Sequence, residues 1–169
     1  MFIIKTILCT LIITTSSSLG IMLSKKYIDR VDELKAFKSA LNMLKTKIRY
    51  TYAPLTDIFT DISKSLRGNV SVLFQNACEQ IEAKGATDGF CAAIEMTRLN
   101  VSKEDKLVMK NLSKLLGKTD AEGQINEIEL TESFLESQIE TAEIEREKNA
   151  KLYKTLGVIS GVGLVIILI

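Results

Sequence analysis

The sequence contains no histidine. That removes the commonest general base, the usual transition-metal ligand and the usual pH switch together. It contains only three cysteines, Cys9, Cys78 and Cys91, and no pair at CxxC spacing. Zinc-ligand patterns are thereby excluded, and the pattern is not that of a secreted disulfide scaffold. A Cys78–Cys91 bridge stays open at this level, against free thiols packing as small hydrophobes. Proline occurs once, at Pro54, and strand-type alternation is scarce. A strong charge of either sign is also missing. The net charge of +1 and the lack of aromatic-interleaved basic stretches argue against nucleic-acid binding.

Catalytic constellations are missing as well. Glu140, Glu143 and Glu147 recur at i, i+3 and i+7, the pattern of a solvated helix face. A di-iron bundle needs Glu-x-x-His motifs, which a chain without histidine cannot supply. Serines without a base partner are inert. The turn GKTDAEGQ, Gly117–Gln124, lacks the glycine spacing and lysine-hydroxyl pair of a phosphate-cradling loop. The expectation is a non-enzymatic protein with no metal and no cofactor.

What is present is apolar sequence at both ends of a charged middle. Thr6–Ser24 is 19 residues without charge, near the ~20 needed to cross a bilayer. Eight of them are Ser or Thr, so the stretch is only moderately hydrophobic. A cleaved signal peptide competes with an uncleaved anchor, since Ser16–Ser18 offers small residues for cleavage. Leu19, Ile21, Met22 and Leu23 resume the apolar run before Lys25 and Lys26, which favours the anchor. At the other end, Leu156–Ile169 carries no ionisable side chain. Fourteen helical residues rise about 21 Å, short of the ~30 Å hydrocarbon core. Counting from Leu152 lengthens the span and includes Tyr153 and Lys154, which suit the interface. Gly157, Ser160, Gly161 and Gly163 form a small-residue stripe of the kind that lets membrane helices approach closely. Glycine is also simply frequent in such helices.

Flanking charge sets orientation. Between Lys25 and Arg49 stand eight basic residues and three acidic ones. Arg146, Lys148, Lys151 and Lys154 precede the second apolar segment, and no charge follows it. The positive-inside rule places the middle in the cytoplasm from both ends. The expected domains are an anchor at 1–24, a cytoplasmic helical bundle at 25–152 and a membrane helix at 153–169.

The middle reads as all-α. A first helix carries Tyr27, Val31, Leu34, Phe37 or Lys38, Leu41, Leu44 and Ile48 at steps of three and four, and ends before Pro54. A second starts with Pro54 at its first position and closes at Gly68-Asn69. A third stops at Lys84-Gly85, and a fourth is capped by Thr87 or Asp88. A fifth starts at Ser102 and turns Leu107, Val108, Leu112, Leu115 and Leu116 inward. The sixth begins at Ala121, or just after Gly123, with Ile125, Ile128, Leu135, Ile139 and Ala142 inside. The architecture expected is an antiparallel bundle of about six helices. From Asp120 to Glu147 there are ten acidic residues and one basic residue, whereas the first helix is basic. The two helices either complement each other or offer docking faces. The candidate docking residues are Lys45, Lys47, Arg49, Glu136, Glu140, Glu143 and Glu147.

Three patches resemble a known family. KIRYTYAPL carries Tyr50, Pro54 and Leu55 as Tyr-x-x-x-Pro-Leu, and LLGKTDAEGQ carries Leu116, Gly117 and Asp120 as Leu-Gly-x-x-Asp. KLYKTLGVISGVGLVIILI carries Tyr153, Leu156 and Gly157 as Tyr-Lys-x-Leu-Gly. Their order, spanning essentially the whole chain, resembles the stage III sporulation protein AB family of endospore-forming Firmicutes. That resemblance implies a component of a channel complex made by the mother cell around the forespore. It also implies likeness to the cytoplasmic domain of the type II secretion platform protein. The implied partners are a secretion-type ATPase of the same complex, its other membrane components and the bilayer. The implied role is to pass nucleotide-driven movement to the membrane channel. A two-anchored adaptor of another membrane machine stays as the alternative.

Overall fold

The computed structural model describes residues 2–51, 53–114 and 116–168. Among them the chain forms six helices and no strand: α1 (Phe2–Tyr50), α2 (Leu55–Ser65), α3 (Asn69–Lys84), α4 (Ala86–Met96), α5 (Lys103–Ser113) and α6 (Ala121–Leu168). Contacts divide these into two units. One holds the chain up to Val31 with the chain from Thr141 onward; the other is Asp32–Glu140. α1 and α6 each contribute to both. The division falls inside the long helices, further from the chain ends than the boundaries drawn at 24/25 and 152/153.

In the Asp32–Glu140 unit, α1 stops because Pro54 forces its predecessor out of helical geometry. Pro54 sits at φ −56° and ψ 148°, one position ahead of the helical site expected for it, and caps α2. Its carbonyl accepts from the Asp57 and Ile58 N–H groups at 3.1 and 3.2 Å. α2 closes at Leu66, whose N–H reaches the Ile62 carbonyl. Gly68, expected to end α2, instead caps the start of α3 at φ +73°.

α3 and α4 form a helical hairpin through one residue. Gly85, at φ +82°, is both the last cap of α3 and the first cap of α4. That conformation is open to glycine at little cost. It replaces the Thr87 or Asp88 cap expected from sequence, which is not formed. Gly89 is buried, and a Cβ there would lie 2.6 Å from the Ile81 backbone. Only a residue without a side chain lets α4 cross α3 this closely.

α5 opens on a capping box. Ser102 Oγ accepts from the Asp105 N–H at 3.1 Å, and Asp105 Oδ2 accepts from the Ser102 N–H at 2.8 Å. Two otherwise orphaned donors are satisfied reciprocally. Ser102→Ala is expected to lower stability by about 1 kcal/mol. Thermal melts of the full chain check this, with Ser102→Thr retaining most of the parent value.

The core is built on Phe37, Phe59, Phe74 and Phe90, all fully buried. Phe74 centres the cluster, with ring centroids 6.1, 5.1 and 6.0 Å from Phe37, Phe59 and Phe90. Leu34, Leu41 and Leu44 of α1 and Ile128 and Leu135 of α6 are fully buried in the same unit. At the ambiguous α1 position Phe37 is the buried residue. On α5 the expectation fails at Leu107, which is 60% exposed. Leu112 and, past the helix end, Leu116 are buried as expected and Val108 is half-buried. Asp105 and Met109 join Leu112 on the buried face of α5 at steps of four and three. Leu115 lies outside the described residues. The cysteines are free. Cys78 Sγ lies 3.5 Å from Thr60 Oγ1, and Cys91 Sγ 3.0 Å from Ser113 Oγ, so no bridge joins them.

Candidate functional site

In the unit formed by the two chain ends, α1 and α6 run antiparallel at backbone contact. A Cβ on Gly20 would lie 2.6 Å from the Tyr153 carbonyl oxygen and 3.0 Å from Gly157 Cα. A Cβ on Gly157 would lie 2.9 Å from both Gly20 Cα and the Ser16 carbonyl oxygen. Ser16 Oγ donates to the Gly157 carbonyl at 2.7 Å and lies 2.8 Å from Ser160 Oγ. Gly161 packs on Ile13 and Ser16, while Gly163 meets nothing within 4 Å. The stripe of Gly157, Ser160 and Gly161 thus lies against this chain's own first helix, and Gly163 lies off it. Close approach strengthens van der Waals packing, and an interhelical hydroxyl bond adds to it where lipid offers no partner.

Both helices are long and apolar enough to cross a membrane, and little of the most apolar stretch of either is buried inside the protein. A core helix so apolar would instead be mostly covered. Past the apolar segments, Tyr27 and Tyr153 stack with centroids 5.8 Å apart. Arg30 then pairs with Glu145 at 2.7 Å.

In the Asp32–Glu140 unit the basic stripe of α1 meets the acidic stripe of α6. Lys38 pairs with Glu136 at 3.1 Å, Lys45 with Glu132 at 2.6 Å and Glu129 at 3.7 Å, and Arg49 with Glu129 at 3.9 Å. Lys47 reaches across to Asp61 of α2 at 2.6 Å. Four of the candidate docking residues, Lys45, Lys47, Arg49 and Glu136, are therefore engaged within the chain. Glu140 and Glu147 are exposed and Glu143 is half-buried. Exposed pairs of this kind contribute at most about 1 kcal/mol each, so they set register and pairing more than stability. The hydrogen bond from Lys47 holds the Asp61 carboxyl below the usual carboxylate range, and Lys110 does the same for Glu95. What these pairs contribute is present above the unfolded-state pKa and fades as pH falls through the lowered folded-state one.

Two of the family-like patches converge at the end of this unit where α1 stops and α6 begins. Tyr50 is 75% exposed on the last turn of α1. Gly117 turns the chain at φ +73°, Leu116 is buried, and Asp120 Oδ1 accepts from the Gly123 N–H at 3.0 Å. Between the two turns lies an open groove of about 290 Å³, lined by Thr51, Leu55, Ile58, Gly117 and Gln124 among others. Sequence spacing placed each patch in a turn but gave no sign that the turns meet. Of the third patch, Tyr153 and Gly157 face α1, whereas Leu156 is half exposed.

Sequence reading also missed Glu33. It is buried at 8% exposure, and its carboxylate accepts from Asn69 Nδ2 at 2.6 Å, the Asn100 N–H at 2.5 Å and Asn100 Nδ2 at 2.9 Å. The available signal was a carboxylate set between Val31 and Leu34 on the apolar stripe of α1. Among the described residues no group of three acidic or cysteine side chains is placed to hold a metal ion.

Across residues 5–169 the chain matches the family described as stage III sporulation protein AB. The chain belongs to that family. It is 28% identical to stage III sporulation protein AB of Bacillus subtilis (strain 168), covering 93% of this chain and 94% of the relative. A solved structure of stage III sporulation protein AB superposes with a TM-score of 0.66 at 26% identity, over 71% of this chain and 98% of that one. The family places the protein in sporulation, and the solved structure supports the helical-bundle fold.

Proposed function

We propose that this sporulation protein is a non-enzymatic coupling component of the channel complex between mother cell and forespore. It spans the mother-cell membrane with both chain ends and presents its helical bundle to a secretion-type ATPase in the cytoplasm. The observation that carries this reading is the continuity of α1 and α6, each a single helix that contributes to the closed bundle and to the apolar pair. A push on the bundle has two unbroken helices along which to travel.

The docking surface in this reading is the end of the bundle where the two turns meet. Tyr50 is a large, exposed aromatic residue, a type over-represented among interface hot spots. Lys47 and Arg49 stand beside it with side chains 37% and 49% exposed, still able to meet an acidic rim. Tyr50→Ala with Arg49→Ala is expected to reduce co-purification of the ATPase with the full chain about tenfold or more, while the chain keeps the parent's helicity by circular dichroism. Undiminished co-purification would move the docking surface elsewhere, with the exposed Glu140 and Glu147 as the next candidates. Loss of heat-resistant spores in a deletion strain tests the sporulation role itself. Normal spore yield would instead favour an adaptor of another membrane machine.

A further inference from the structure

Five lysines occupy one level of the unit formed by the two chain ends. Lys25 and Lys26 follow the uncharged segment of α1, and Lys148, Lys151 and Lys154 precede that of α6. The Gly20–Gly157 contact and the Tyr27–Tyr153 stack fix the antiparallel register. Lys25 and Lys26 therefore lie level with Leu152 and Lys151, and the other two lysines lie within about 6 Å along the axis. All five side chains are exposed, and none makes an ion pair among the described residues. Lys38, Lys45 and Lys47 of the other unit each find a carboxylate; these five do not.

A second, independent feature marks the same level. Met22, Leu23, Leu152 and Leu156 are exposed apolar residues beside the lysines, Met22 at 73%. The stacked tyrosines sit with them, as amphipathic rings do at a membrane–water boundary. The lysines thus stand where exposed apolar surface gives way to polar surface. Across the flanking stretches, Asp29 and Glu147 supply acidic groups, while Glu145 is held by Arg30. Net positive charge remains at this level.

We propose that these five lysines form a collar that binds the phosphate of anionic phospholipid head groups and concentrates such lipid around the protein. Clusters of four or more basic residues just cytoplasmic of a membrane helix attract acidic lipid in this way. The inference rests on the reading of α1 and α6 as membrane spans.

The test uses the full chain in phosphatidylcholine vesicles carrying a trace of spin-labelled phosphatidylglycerol or spin-labelled phosphatidylcholine. The motionally restricted fraction of each label, read by electron paramagnetic resonance, gives their relative association with the protein. We expect phosphatidylglycerol to be favoured about fivefold at low salt, falling toward parity in ~1 M KCl. The variant with Lys25, Lys26, Lys148, Lys151 and Lys154 all replaced by glutamine is expected to show parity at low salt. Its helicity by circular dichroism should match the parent. Equal association of both labels with the parent would overturn the proposal, as would selectivity that survives in the variant. Inorganic phosphate added at constant ionic strength should leave the selectivity intact; its abolition would overturn the lipid assignment in favour of a free phosphate ligand. Alkaline carbonate extraction of the same vesicles separates the two readings. A retained chain without selectivity overturns the collar alone, whereas a released chain overturns the spanning reading and the collar with it.

Discussion

Replacing Gly20 by leucine is expected to separate the two apolar helices. The first atom of any side chain at Gly20 would lie 2.6 Å from the Tyr153 carbonyl oxygen and 3.0 Å from Gly157 Cα. Both are backbone atoms, and a helix backbone cannot withdraw locally as a flexible side chain can. The whole helix must move, which breaks the 2.7 Å bond from Ser16 to the Gly157 carbonyl. Overpacking of this kind costs about 1–3 kcal/mol, enough to lower the equilibrium constant for pairing roughly fivefold to 150-fold. The measurement is disulfide formation between Ser16→Cys and Ser160→Cys, whose parent hydroxyls lie 2.8 Å apart, in a chain with Cys9, Cys78 and Cys91 replaced by alanine. The parent should cross-link within the chain, and Gly20→Leu should not. Gly157→Leu should behave like Gly20→Leu, since its Cβ would lie 2.9 Å from Gly20 Cα. Gly163→Leu should cross-link like the parent, because space is open there. Equal cross-linking of Gly20→Leu and parent would show that the helices do not depend on this contact.

The second large effect is expected at Glu33. Its carboxylate joins three parts of the bundle: α1, which carries it, the first residue of α3 through Asn69, and the loop between α4 and α5 through Asn100. Hydrogen bonds to a charged group contribute about 1.5–3 kcal/mol each, and three converge on one buried side chain. Glu33→Ala removes all of them and leaves the amide donors of two asparagines without their acceptor. The expected loss is about 3–5 kcal/mol, the range for breaking a buried charged network. Asn69→Ala removes one bond and should cost distinctly less. Asp61→Asn, at an exposed pair, should leave the denaturation midpoint nearly unchanged. Urea denaturation of the full chain in mild detergent reads all three. A loss below about 1 kcal/mol for Glu33→Ala would mean that water replaces the carboxylate as acceptor.

The helices were legible because their signals are local. Val31, Leu34, Leu41 and Leu44 repeat on one face, Pro54 interrupts, and Ser102 with Asp105 announces α5. The misreadings lie where a tertiary contact overrides the local one. Leu107 fits a helical apolar pattern, yet the face chosen by Met109 and Leu112 turns it outward. Thr87 is a good capping residue, but Gly85 takes the cap because only glycine turns α3 into α4 in one residue. The candidate surfaces were half visible. The small stripe of α6 stood out in the sequence, but its counterpart, Gly20, is one glycine in a run of serines and aliphatics. The meeting of the Tyr50 turn with the Gly117 turn depends on how α1 and α6 pair, and no local pattern carries that. The charge complement of α1 and α6 was legible; which ion pairs form depends on helix rotation set by the core.

The central claim is that both apolar ends enter one membrane and leave the bundle on its cytoplasmic side. It is tested most directly by thiol accessibility. In the chain without native cysteines, Ser133→Cys places one thiol on the exposed face of α6. Sporulating cells are treated with a membrane-impermeant thiol reagent, intact and after permeabilisation. Labelling only after permeabilisation is the predicted result, with the bundle within reach of a cytoplasmic ATPase. Labelling in intact cells would put the bundle on the other side, and the docking surface and the coupling role would fall with it.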